Sequence, residues 1–169
     1  MARVHTAKAA KDYPEYGIKK GDTYFWWQLY KQPKQMSLVR PRPSQLTGSA
    51  KLSAAYAAQE AAEDAVASSG STEDVINALQ QAAEDARSVA EEYEESASNI
   101  RETFSESSTA DECEEKAEAL NDWADELEQA VEEIESLDRK DFEEGDEGDE
   151  EFANAAREIA EAAIGNLSI

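Results

Sequence analysis

The segment VINALQQAAEDARSVAEEYEESASNIRETF, residues 75–104, carries two interlocked seven-residue series of apolar side chains. Ile76, Ala83, Ala90, Ala97 and Phe104 form one series, and Leu79, Ala86, Tyr93 and Ile100 form the other. Seven residues make nearly two helical turns, so both series fall on one side of a long helix. Glu84, Asp85, Glu91, Glu92, Glu95 and Glu102 lie off that stripe, where water solvates them. A helix with one apolar side needs a partner to cover it. The expected fold class is mainly α, an acidic antiparallel helical bundle or coiled coil with a small N-terminal β-hairpin and a basic arm.

The partner follows directly. After a short connection at residues 105–108, Thr109 and Glu112 have capping-box spacing. Cys113, Ala117, Leu120, Ala124, Leu127, Val131 and Ile134 then alternate four and three without a fault, which predicts an antiparallel helical pair. Trp123 flanks that seam, to seal its edge or meet the ribbon described below. Residues 138–149 are acidic and punctuated by glycine, a solvated linker. A last helix is predicted over 150–164, with Phe152, Ala156, Ile159 and Ala163 inward and Gly165 as its stop.

Upstream, Ser71 with Asp74 three residues on starts the long helix. An earlier helix begins near Ser44, Thr47 or Ser49, all good N-caps, and ends before Ser68-Ser69-Gly70. Its inner face, Leu52, Ala55, Ala58, Ala62, Ala65 and Val66, is almost all small, which permits close approach but buries little area per turn.

The chain before Ser44 has another character. Residues 1–16 combine Arg3, Lys8 and Lys11 with small residues and no period, the pattern of a mobile basic arm. A turn at Lys20-Gly21-Asp22 precedes residues 23–30, which are dense in aromatic and β-branched side chains and read as a strand. Alternation sends Phe25, Trp27 and Leu29 to one face and Tyr24, Trp26, Gln28 and Tyr30 to the other. Pro33 turns the chain, and residues 36–40 return as a second strand. A two-stranded ribbon is marginal alone, so its Phe25 face needs the cover of a body helix. Arg40-Pro41-Arg42-Pro43 cannot be helical and sets the boundary between residues 1–43 and residues 44–169.

Charge follows the same division. The 169 residues carry a net charge of -23. Residues 1–51 hold ten Lys/Arg against three Asp/Glu, whereas residues 52–169 hold six against thirty-six. A +7 segment is thus joined to a -30 body. The basic start lacks an apolar core of secretory type, and no run approaches membrane-spanning length, so a cytoplasmic protein is expected. Cys113 and His5 are the sole residues of their kinds, which excludes an intrachain disulfide and a Cys/His-built zinc site.

No catalytic signature stands out: phosphate loops, nucleophile elbows and a His-assisted nucleophile are absent. The acidic run at 138–151 lacks calcium-loop spacing, and no metal or cofactor is expected. Two constellations remain. On the ribbon, Tyr24, Trp26 and Tyr30 share a face near Lys31, Lys34, Arg40 and Arg42, a mixture suited to stacking bases and neutralising phosphates of a single strand. Burial of both ribbon faces and pairing of its cations with the acidic body is the competing reading. On the body, Glu84, Glu91, Glu92, Glu95 and Glu102 make an acidic face. A helix of about 34 residues spans ~50 Å, over which thirty net charges match the ~1.7 Å spacing of duplex DNA. Simple solvation, salt adaptation and compensation for another basic partner compete with mimicry.

The stretch from Gly17 through Lys19-Lys20-Gly21-Asp22-Thr23-Tyr24-Phe25-Trp26-Trp27, ending in Arg40-Pro41-Arg42-Pro43-Ser44-Gln45-Leu46-Thr47, resembles a group of uncharacterised small bacteriophage and prophage proteins. These have a basic Lys-Lys-Gly-Asp/Glu-Thr-Tyr-Tyr-Trp-Trp ribbon and an acidic helical tail. The resemblance covers roughly the first 50 residues, and the remainder only in character. Phe25 stands where Tyr is usual, and Gln32-Pro33-Lys34 where a Gly-Gly-Lys turn is usual. No activity comes with the group; the resemblance implies a phage origin and therefore a part in host takeover or evasion of host defence.

The leading expectation is a non-enzymatic protein, acting in the infected host cell, whose acidic body occludes the basic groove of a host nucleic-acid-binding protein. The second is single-stranded nucleic-acid binding through the ribbon. The third is an oligomeric phage structural or scaffold component assembled through the heptad helices.

Overall fold

A computed structural model describes residues 1–138, 142 and 146–169. It contains four helices, α1 (Ala50–Ser68), α2 (Thr72–Thr103), α3 (Ser108–Ser136) and α4 (Asp146–Ile164), and three strands, β1 (His5–Lys8), β2 (Thr23–Trp27) and β3 (Gln35–Ser37). The chain divides into two compact units, Met1–Ala57 and Ala58–Ile169, and the division falls inside α1.

In the first unit the expected hairpin is a three-stranded antiparallel sheet in the order β1-β2-β3. The segment read as a mobile arm supplies β1, with His5 opposite Trp26 and Ala7 opposite Tyr24. His5 and Ala7 alternate with exposed Thr6 and Lys8, but side chains this small or polar leave no hydrophobic period to read. Ala9, Ile18 and Tyr24 form a small core, with Tyr13, Tyr16, Trp26 and Met36 packed around it. Gly17 closes the intervening turn at φ 67°, a conformation that costs glycine least. The opposite face of β2 is covered within this unit: Trp27 is buried and donates its indole N–H to the Gln45 carbonyl at 3.1 Å. Gln45 lies in a 3-10 turn, Pro43–Leu46, where the first helix was expected to begin. That helix starts later, at Ala50, with the Ser49 hydroxyl accepting from the Leu52 N–H.

The second unit is a helical bundle built on the antiparallel pair of α2 and α3. Ser71 caps α2, its hydroxyl accepting from the Asp74 N–H at 3.2 Å and donating to the Asp74 carboxylate at 2.8 Å. Leu79, Ala83, Ala86, Ala90, Tyr93 and Ala97 are buried as the two apolar series require. A third series, Val75, Ala82 and Val89, is buried too, and α2 packs against α4 as well as α3. Phe104, the predicted end of the stripe, is 65% exposed and serves instead as the helix C-cap. Thr109 lies inside α3, whose N-cap is Ser107, so the predicted capping box is absent. From Ala117 to Ile134 the α3 series is buried as expected, and Cys113 is half-buried.

α4 begins at Asp146, earlier than predicted, and part of the predicted linker lies outside the described residues. Ala156, Ala160, Ala163 and Ile164 are its buried residues near the C-terminal end. The last carbonyls of a helix lack intrahelical partners, and here neighbouring helices supply them. Trp123 of α3 donates to the Ala163 carbonyl at 3.1 Å, and Gln59 of α1 donates to that of Ile164 at 2.9 Å. Arg157 reaches the Ser69 carbonyl, just past α1, at 3.0 Å. On α1 itself Ala55, Ala58, Ala62 and Val66 are buried, whereas Leu52 is half-buried and Ala65 is exposed. Among the described residues no helix is long and apolar enough to cross a membrane, and no charged side chain is buried.

Candidate partner-binding surface

Two arginines on α2 sort the acidic residues of the bundle into two kinds. Arg87 meets Asp125 at 3.0 Å and Glu128 at 2.7 Å on α3. Four turns further along, Arg101 takes Glu114 bidentately, with both contacts at 2.7 Å, and reaches Asp111 at 2.8 Å. The planar guanidinium matches a carboxylate edge to edge. The Arg101 hydrogen bond holds the Glu114 carboxyl below its ordinary value, and the bonds that the guanidinium donates to Glu114 and Asp111 raise Arg101. Arg87 is raised chiefly by its bond to Glu128. These four carboxylates therefore serve the pairing of α2 with α3.

The remaining acids face outward. Glu84, Glu91, Glu92, Glu95 and Glu102 are all exposed on α2, as their positions off the stripe require. α2 has no cation besides Arg87 and Arg101, so no basic side chain of its own interrupts this face. α3 is more acidic still: twelve of its 29 residues are Asp or Glu, against a single Lys116. With the four held by Arg87 and Arg101 set aside, eight remain over about 44 Å, one per about 5.4 Å, sparser than the ~3.4 Å spacing along one DNA strand. Glu115, Asp122, Glu126 and Glu133 are exposed, and their 7-4-7 spacing puts them in one stripe. Reasoning from the long helix alone placed the acidic face on α2 and missed this one. The acid count of α3 was the available signal.

The aromatic face of the ribbon differs from expectation. Tyr24 is 6% exposed within the small core, and burial, with Tyr13 beside it, pushes its hydroxyl pKa up. It cannot stack on a base. Trp26 is half-buried and already engaged: His5 stacks on its ring at 4.1 Å and 13°, and the Lys34 ammonium lies 3.9 Å from its centroid. Tyr30 is 87% exposed, with the Lys31 ammonium 5.2 Å from its ring. Lys31 itself has φ 58°, unusual for a residue with a side chain. Lys31, Lys34, Arg40 and Arg42 are exposed. The three aromatics thus share a sequence alternation but do not form one open platform.

Among the described residues no group of three or more His, Cys, Asp or Glu is placed to hold a metal ion. No protein-family model, curated protein or solved structure matches the chain.

Proposed function

We propose that the chain is a non-enzymatic, phage-encoded interaction protein whose acidic bundle seats in the basic nucleic-acid-binding groove of a host protein and occludes it. The observation that carries this reading is the run of exposed carboxylates on the paired helices, eight of them on α3 outside the pairs with Arg87 and Arg101. Residues 58–169 hold a net charge of -30, and the α2 axis is about 48 Å long for its 32 residues. The α2–α3 pair carries twenty-one of the carboxylates against Arg87, Arg101 and Lys116, and presents a phosphate-binding groove with the field it is built to accept. A CRISPR effector, a restriction enzyme or a polymerase has such a groove, and inhibition of host defence is the role that fits a phage origin.

Rigidity supports the same reading. A charged surface gains affinity when its groups need no ordering on binding, and here α2 is capped by Ser71 and the α2–α3 pair is zipped by Ala, Leu and Tyr and clamped by two arginines. The ribbon offers less to a nucleic acid than its composition promised, since Tyr24 is buried and Trp26 is engaged by His5 and Lys34.

Recovery of tagged protein from expressing bacterial cells tests this, with the bound fraction challenged by duplex DNA. The reading expects a co-purifying nucleic-acid-handling protein that duplex DNA displaces. A retained partner indifferent to duplex DNA, or retention of nucleic acid alone, overturns it.

A further inference from the structure

Between α3 and α4 runs an open groove of a different composition from the rest of the acidic surface. Its floor is apolar and small, formed by Ala130, Ile159, Ala162 and Ala163, and its walls carry Glu126, Glu133 and Glu158. Ala130 and Ala163 are 5% and 8% exposed, whereas Ala162 and the three glutamates are open to solvent. Among the described residues no Lys or Arg lines it. The groove is held in shape from below: Trp123 bonds to the Ala163 carbonyl, and Asn166 donates to Glu126 at 3.0 Å across the gap.

We infer that this groove is the specific docking site on the bundle, and that its occupant is a cationic amphipathic helix of the partner protein. The inference rests on the reading of the bundle as a binder of basic protein surfaces and names the part that gives it specificity. Small floor residues let a second helix axis come close, and a groove between two helices accepts a third along its length. Carboxylates on both walls, with no cation among them, select Lys and Arg flanking the occupant's apolar stripe. The rest of the acidic surface attracts any cation. This strip adds apolar contact, which screening by salt does not remove.

Two synthetic helical peptides of about 20 residues serve as probes. Both carry the same Lys and Arg count, one with a Leu/Ala stripe and one scrambled to abolish it. The full-length protein should bind the striped peptide at least about tenfold more tightly at 0.15 M salt. Ala162→Trp, an exposed position where a large side chain fills the groove without entering the core, should remove that preference. Gln129→Trp on the facing helix should do the same, with helix content unchanged in both. Equal binding of the two peptides, or a preference that survives both substitutions, overturns the groove. The broader acidic reading stands in that case if binding still falls with Glu84, Glu91, Glu95 and Glu102 changed to Gln. Concentration-dependent self-association that Ala162→Trp abolishes would make the occupant a second copy and overturn the partner helix.

Discussion

The indole N–H of Trp123 lies 3.1 Å from the carbonyl oxygen of Ala163, so a side chain in the middle of α3 closes the last turn of α4. Both residues are buried. Removing the donor with Trp123→Phe leaves that carbonyl only the Asn166 N–H at 3.3 Å, and a small void besides. The expected cost is about 2 kcal/mol in denaturant unfolding, with faster amide exchange in α4 than in α2. Uniform loss across both helices would show that the bond does not act locally.

The seam of α2 and α3 bears substitution unevenly. Leu120 is fully buried, and Leu120→Asp should cost on the order of 5 kcal/mol, enough to unfold a domain of ordinary stability. Ile100 is only half-buried, beside the interhelical turn, so Ile100→Asp should cost about 1–2 kcal/mol. Glu95→Gln, on the outer face, should stay within about 0.5 kcal/mol. Circular dichroism against urea orders the three.

How much of this was readable in advance depended on how local the cause was. Ser71 and Asp74 gave the start of α2 because a cap is made by neighbours in sequence. The burial of Val75, Ala82 and Val89 was not readable, since a second buried side of α2 depends on helices distant in sequence, among them α4. Tyr24 reads equally as an open platform or a buried side chain because a tyrosine suits both, and the core that it forms with Ala9 and Ile18 decides the matter. β1 was missed because alanine, threonine and histidine carry almost no hydrophobic contrast. The acidic face on α2 is legible as off-stripe positions, and that of α3 in its twelve Asp and Glu.

Arg101 should give the bundle a specific pH signature. Its hydrogen bond lowers the Glu114 carboxyl from the ordinary 4.5, so the stabilisation is complete above that value and is lost as pH falls through the lower folded-state value. Wild type should therefore melt above Arg101→Gln at pH 7, and the gap should close on acidification below 4.5. A gap that persists unchanged at low pH would mean that Arg101 acts through packing alone.

Thirty net negative charges on one bundle repel. Raising ionic strength from 0.01 M to 0.1 M shortens the screening length from about 30 Å to about 10 Å and should raise the melting temperature. The ion pairs of Arg87 and Arg101 weaken over the same range, but exposed pairs contribute little beside the summed repulsion. An unchanged or lower melting temperature would show that repulsion does not limit stability.

The most direct measurement compares two quadruple variants for binding to a purified partner at two salt concentrations. One changes Glu84, Glu91, Glu95 and Glu102 to Gln; the other changes Lys31, Lys34, Arg40 and Arg42 to Gln. All eight side chains are exposed, so helix content should survive in both. Occlusion by the acidic bundle predicts a strong loss, at least about tenfold, for the first variant and a smaller one for the second. Added salt should weaken the wild type more than the first variant. Loss confined to the ribbon variant, with the acidic variant binding as well as wild type, would contradict it.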